Sequence, residues 1–432
     1  MWLAAISVAC ASNPSVSIAP LSPGSVPAGR VVTAFDAEAE LARGRFLEVD
    51  RYVDGLPAAE REGSAELLFL AGRARLARGD AAGARRALER ALSLSLSGPK
   101  RADALWSLAQ AEILTDDFAA AARDTAAANR EGLSLSIGFV HFLENLAGVP
   151  LYAGMAPGER IDTDFEMGLY DLVRVGMAVN GHPVSAVLDT GASYCILTRS
   201  FATRVGLREI PDSDAYGLGL HQKPIPLTFG VVDELRIAGR TLTAIPVMVM
   251  PDEALTFETA RGSLPISAVL GLHMLKNFRL EIDYGSRRLG MEAAAREFDR
   301  PEPDQNLFFA RAKVFARVSV DGSPWTLFLL DTGSELTMLT AGGVQRLGLR
   351  TASGVFPKRV EGIGKTRVSW GKVDRAALGV GAFRLDFRDM VVAETVDTLE
   401  DGVLGATVLA HFAVRIDFQK MRLELTTRSG AS

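Results

Sequence analysis

Two aspartates in this 432-residue chain share one local setting. Asp189-Thr190-Gly191 follows the apolar run Ala186-Val187-Leu188, and Asp331-Thr332-Gly333 follows Leu327-Phe328-Leu329-Leu330. The glycine after each carboxyl leaves room for backbone or water to approach where a side chain would obstruct. Two carboxyls brought together cannot both ionise easily, so they share a proton. One then acts as general base toward a water while the other, protonated, polarises a carbonyl. That pairing hydrolyses an amide without a covalent intermediate. One Asp-Thr-Gly alone is weak evidence, because Asp and Gly favour turns anyway; here the motif stands twice, each time after an apolar strand.

Other chemistries find little support. The only cysteines are Cys10 and Cys195, too few for a disulfide framework or a cysteine metal site. Cys195 lies in Tyr194-Cys195-Ile196-Leu197 and reads as a small core residue. His141, His182, His221, His273 and His411 show no ligand spacing, so neither a metal nor an organic cofactor is expected. No nucleophile motif of the Gly-x-Ser-x-Gly kind is present. The net charge is -5, and Lys and Arg nowhere concentrate among aromatics, which argues against nucleic acid as a partner. No apolar run reaches the roughly 18–20 residues of a membrane-spanning helix.

The elements that must position the two aspartates form an internal duplication. From 163 onward, short runs of Val, Leu, Ile and Phe are broken by glycine turns, the pattern of hairpin-rich β structure. In each copy an alternating strand meets Asn180-Gly181 or Asp321-Gly322, a strong hairpin signal, and the next strand ends in Asp-Thr-Gly. Four further blocks match in the same order. Arg204-Val-Gly-Leu-Arg pairs with Arg346-Leu-Gly-Leu-Arg, and Tyr216-Gly-Leu-Gly with Glu361-Gly-Ile-Gly. Ala268-Val-Leu-Gly pairs with Gly402-Val-Leu-Gly, and Phe278-Arg-Leu-Glu-Ile-Asp with Phe412-Ala-Val-Arg-Ile-Asp. The copies span 163–295 and 307–428, joined by a linker at 296–306 containing Pro301 and Pro303.

In these residues the chain resembles the pepsin/retropepsin superfamily of aspartic peptidases. There, Asp-Thr-Gly followed by Ala or Ser, and later two apolar residues and Gly, builds each half of the active site. Both halves here hold both elements: Ala192 with Leu270-Gly271, and Ser334 with Leu404-Gly405. The resemblance implies Asp189 and Asp331 as the catalytic pair, with Thr190, Gly191, Thr332, Gly333 and Ser334 supporting the loops. It implies that Thr190 and Thr332 cross-link the loops through their hydroxyls, and that Gly271 and Gly405 lie on segments packed beneath them. Tyr216, Gly217 and Gly219 in one copy, and Gly362 and Gly364 in the other, look like flap tips closing over an extended substrate, which would be held by main-chain hydrogen bonds. Each copy is closer in size to a retropepsin subunit than to a pepsin lobe. A tandem duplication supplies both aspartates within one chain, so an intrachain pseudo-dimer and a monomer are expected. The copies differ at Ala192 against Ser334; a hydroxyl donated to Asp331 would favour its ionised form and leave the shared proton on Asp189.

Ahead of the β region, 31–130 is helical and rich in Ala, Leu, Arg and Glu. Turns at Arg43-Gly44-Arg45, Arg78-Gly79-Asp80 and Thr115-Asp116-Asp117 recur at intervals of about 35–37 residues, near the 34 of tetratricopeptide repeats, which the segment resembles. Such hairpins serve either as a groove for a protein partner or as a module that shields and positions the next domain. Residues 131–162 read as a linker. Residues 1–30 read as an export signal with a flexible tail. Val8-Ala9-Cys10 resembles the end of a lipoprotein box, implying lipidation of Cys10, a lipid anchor and a periplasmic or membrane-anchored location.

The expected architecture is therefore multidomain: α-helical hairpin repeats, then a mainly-β, two-lobed retropepsin/pepsin-like acid protease barrel fold. The expected activity is that of an aspartic endopeptidase acting on peptide or protein substrates. The competing reading is a scaffold in which helical repeats and β-lobes bind peptide without cleaving it.

Overall fold

The computed structural model describes residues 8–9, 16–21, 35–167, 171–218, 224–259, 262–295, 304–351, 360–362, 366–368, 370–393 and 399–427. Its N-terminal part is helical: α1 (Ala37–Ala42), α2 (Phe46–Asp54), α3 (Ala58–Gly63), α4 (Ala65–Ala77), α5 (Ala81–Ser93), α6 (Gly98–Leu114), α7 (Phe118–Arg130) and α8 (Ile137–Leu146). The chain reverses at the three expected turns, between α1 and α2, α4 and α5, and α6 and α7. Each turn holds one left-handed residue: Gly44 (φ 77°), Gly79 (φ 81°) and Asp116 (φ 61°). Asp is among the few side-chain-bearing types that enter this region routinely. Asp80 and Asp117 then cap α5 and α7 by accepting from the amides of Gly83 and Ala120. Gly72 lets α4 and α5 approach closely, since a Cβ there would lie 2.6 Å from Leu88 Cγ.

One buried carboxyl marks the α6–α7 pair. Burial, followed by the charge of Asp124, pushes the Glu112 carboxyl up to about 8. A carboxyl raised on folding favours the native state at low pH, and that advantage is lost as pH rises from 4.5 through about 8. Glu112→Gln is expected to flatten the fall in Tm across that window, raising Tm at its upper end. Thermal melts with the wild-type slope retained would remove Glu112 as the source.

The helices are joined to both lobes. One apolar cluster runs from α5–α8 into the first lobe and a second from α1–α6 into the outer face of the second lobe. Phe46 of α2 meets Phe308 at a centroid distance of 5.6 Å, and Lys276 of the first lobe donates to Leu114 O (2.9 Å) and pairs with Asp116 (3.0 Å). The segment 131–162, expected as a linker, instead holds α8 and the strand Arg160–Asp164. Phe142 of α8 stacks on Phe229 at 4.1 Å, so the apolar run Ile137–Leu146 serves as packing rather than connection. The expectation of a flexible tail over 1–30 is also corrected in part. Val16–Pro20 pairs antiparallel with Phe383–Phe387, Val16 and Ile18 half-buried on alternate positions, because the second lobe's strand Phe383–Ala393 offers an edge there. Val8–Ala9 pairs with Val360–Glu361.

Each copy forms one barrel-like sheet. In the first lobe the order is Glu166–Met167, Val173–Val179, His182–Asp189, Ala268–Gly271, Cys195–Thr198, Arg240–Met250, Pro224–Ile237, Arg208–Glu209. Pairing of Leu235 with Val179 closes it. In the second lobe the order is Leu307–Ala310, Lys313–Val320, Ser323–Leu330, Gly402–Leu404, Met338–Thr340, Phe383–Ala393, closed through Trp370–Val380. The hairpins turn at Asn180-Gly181 (φ 46° and 82°) and Asp321-Gly322 (φ 47° and 82°), two positive φ values apiece, as such turns require. A five-stranded sheet joins the lobes, ordered Arg422–Thr427, Phe412–Asp417, Phe278–Asp283, Arg288–Ala293, Arg160–Asp164. At its centre Glu281 faces Arg415, whose Nε and Nη2 donate to Glu281 Oε1 at 3.0 and 2.6 Å.

Candidate active site

Asp189 and Asp331 sit where a strand ends over a parallel neighbour from the distant apolar-Gly element. Gly271 lies beside Asp189 in the register, and the amide of Asp331 donates to Leu404 O at 3.1 Å. Gly271 and Gly405 are tight fits beneath the loops: a Cβ at either would lie 2.1 Å from Tyr194 O or 2.4 Å from Leu336 O. Both expected undersides are thus in place, and only glycine can occupy them.

The two loops interlock through their threonines. Thr190 Oγ1 donates to Leu330 O (2.6 Å) and accepts from the amide of Thr332 (3.2 Å). Thr332 Oγ1 donates to Leu188 O (2.8 Å) and accepts from the amide of Thr190 (3.1 Å). All of these groups are buried, so each lobe satisfies backbone polar atoms of the other.

This interlock brings the carboxyls face to face. A Cβ at Gly191 would fall 2.7 Å from Asp331 Cγ, and one at Gly333 would fall 2.4 Å from Asp189 Cγ. Each glycine therefore makes room for the opposite carboxyl. Asp189 is 0% and Asp331 1% exposed. Asp189 Oδ1 accepts from the amides of Gly191 (2.8 Å) and Ala192 (3.1 Å), and Asp331 Oδ1 accepts from the amide of Gly333 (3.0 Å). In both residues Oδ2 is buried without a hydrogen-bond partner among the described residues.

Burial raises both carboxyls. Burial pushes Asp189 up to about 6, opposed first by hydrogen bonding with the Asp331 carboxyl, then by its backbone donors and Lys313. Asp331 is held well above the ordinary range, by burial first and then by the charge of Asp189. Backbone donation favours the ionised form of Asp189 more than that of Asp331. The donation expected from Ser334 to Asp331 is not the one the structure shows. The Ser334 hydroxyl proton goes to Leu336 O at 3.0 Å, and a hydroxyl has one proton to give.

Lys313 is a site residue that the motifs did not reveal. It opens the strand Lys313–Val320, is 5% exposed, pairs with Glu400 at 3.7 Å, and its charge lowers both aspartates. The available signal was a lysine heading the largely apolar run Val314-Phe315-Ala316. Removing Lys313 alone would leave Glu400 buried without its cation, so the informative variant is Lys313→Met with Glu400→Gln. Without the lysine charge both carboxyls rise, and the acidic limb of the pH–kcat/KM profile is expected to move to higher pH. Glu400→Gln alone should leave that limb in place or lower it; an unmoved limb in the double variant would remove Lys313 from the site.

The expected flap residues fall on two hairpins. Tyr216 and Gly217 lie on Ala215–Leu218, which pairs with Pro224–Leu227, and the Tyr216 side chain is 63% exposed. Gly362 lies on Val360–Gly362, paired with Thr366–Val368. Gly219, Gly364 and Cys10 lie outside the described residues. Cys195 is buried, accepts from the amide of Gly271 at 3.4 Å, and burial pushes its thiol up to about 12, as suits a core residue. Among the described residues no group of His, Cys, Asp and Glu is arranged to hold a metal, and no helix is long and apolar enough to cross a membrane.

The aspartyl protease family matches this chain in two segments, 175–274 and 316–408, one per lobe. DNA damage-inducible protein 1 of Yarrowia lipolytica is 27% identical over 148 residues, covering 31% of this chain and 32% of that protein, so the chain spans about a third of that relative's length. A crystal structure of a retropepsin-like aspartic protease from Rickettsia conorii aligns at 20% identity and a TM-score of 0.23, over 33% of this chain and 97% of its own. The two matched segments, each carrying its own Asp-Thr-Gly on interlocked loops, support the aspartyl protease family for this chain.

Proposed function

We propose that the protein is an aspartic endopeptidase in which one water is activated between Asp189 and Asp331. The observation that carries this reading is the facing pair of buried carboxyls, each seated over the other loop's glycine. Ionised Asp189 takes a proton from water as the water oxygen bonds to the scissile carbonyl carbon. Protonated Asp331 gives its proton to the carbonyl oxygen. In the breakdown step Asp189 returns its proton to the leaving nitrogen and Asp331 recovers one from the diol, so both carboxyls end as they began. The pair titrates as a unit. Activity is expected to rise as the pair loses its first proton near pH 6 and to fall as it loses the second at higher pH.

Incubation with a peptide library in ¹⁸O-water, read by mass spectrometry, tests the proposal. Cleaved products should carry one heavy oxygen in the new carboxyl, and hydroxylamine should trap no acyl-enzyme. Retained peptide binding without cleavage from acidic to mildly alkaline pH would favour the scaffold reading.

A further inference from the structure

Between the helical hairpins and the lobes lies a cavity of about 630 Å³, the size of a pocket that holds several side chains. Its helical wall presents Leu70 of α4, Trp106 and Ile113 of α6, and Phe139 of α8. Its opposite wall presents Ser193 and Tyr194, which continue the loop that carries Asp189, Gly191 and Ala192. Ala215, at the root of the first flap hairpin, borders it as well, as does Ala312, whose carbonyl accepts from Ser193 Oγ at 3.1 Å. The second lobe borders the cavity through Phe309, Ala310, Arg311, Ala312 and Leu399, but of the two loops that carry the aspartates only the first lobe's lines it. Glu335 and Leu336, which follow Ser334 in the second lobe as Ser193 and Tyr194 follow Ala192, do not border it.

Resting on the endopeptidase reading, we propose that this cavity receives a substrate segment lying several residues to one side of the scissile bond, and that the helical hairpins select apolar and aromatic side chains there. The lining fixes the chemistry. Charged groups on the wall come with both signs, Glu38 and Asp103 against Arg73, Arg311 and a Lys276 that already pairs with Asp116, so net charge does not select the occupant; the aromatic and aliphatic surface does. Binding energy gathered there can be used to position the reacting bond, so that lengthening the substrate raises kcat/KM.

The experiment compares a short cleavable peptide with versions extended by six residues at one end or the other, the added residues being either Phe and Leu or Gly and Ser. Apolar extension at one end only is expected to raise kcat/KM at least about tenfold. Trp106→Ala, which opens the aromatic wall, should bring the ratio of long to short peptide close to one. Ile113→Ser, which makes one half-buried position of that wall polar, should lower that ratio several-fold. Equal ratios at both ends, or ratios unaltered in both variants, would overturn the subsite. Failure to cleave any peptide, short or long, would instead overturn the endopeptidase reading on which it rests.

Discussion

Asp331→Asn and Asp189→Asn are each expected to lower peptide cleavage by about three orders of magnitude, within the 10²–10⁴-fold range of a positioned acid or base. The amide matches the carboxylate in shape, so the interlocked loops should persist. Both carboxyls are raised on folding, which means that their charged forms weigh against the native state as pH rises. A neutral amide removes that penalty. Melting temperatures of the two variants at mildly alkaline pH should therefore equal or exceed the wild-type value while activity disappears. Lost activity with a retained or raised Tm separates chemistry from unfolding. Full activity in either single variant would sink the shared pair, because one intact Asp-Thr-Gly would then suffice.

Thr332→Val is expected to damage both stability and rate. Its hydroxyl bonds to Leu188 O and to the amide of Thr190, both across the lobe boundary and both buried. Valine keeps the branched shape but leaves a carbonyl and an amide without partners, at about 1–3 kcal/mol each. The same bonds hold the two carboxyls opposite one another, and a shift of about 1 Å between reacting groups costs on the order of 10²-fold in rate. Denaturant unfolding and kcat should both report the change, with Thr332→Ser close to wild type in each. A Val variant that melts and turns over like the wild type would show that the threonines merely fill space.

Much of this was legible because it is local. Asn180-Gly181 and Asp321-Gly322 specify their turns by backbone preference, and so do Gly44 and Gly79 between helices. Asp-Thr-Gly is itself a short-range signal, and its distant apolar-Gly partner was recognisable because the two repeat in the same order. What stayed hidden depends on where distant segments meet. Lys313 acts on the aspartates only because a hairpin carries it to them. The direction of the Ser334 hydroxyl depends on the path of the loop to Leu336, which residue types do not encode. Ile137–Leu146 looked like a connector because its apolar surface is matched by Phe229, far along the chain. The cavity, too, exists only once the hairpins are docked on the first lobe.

The ion pair of Glu281 and Arg415 at the centre of the joining sheet bears on what each lobe could do alone. These two residues hold equivalent positions in Phe278–Asp283 and Phe412–Asp417, and they stand directly opposite one another. In a symmetric dimer of either lobe, the residue at that point would meet its own copy, since a two-fold axis maps the interface onto itself. First lobes would set Glu against Glu, and second lobes Arg against Arg, both repulsive as direct cross-strand neighbours. Fusion has freed the two halves to become complementary rather than identical. If severed in the connecting segment, they would seek each other and reject themselves, a lock and key made from what began as two copies of one part.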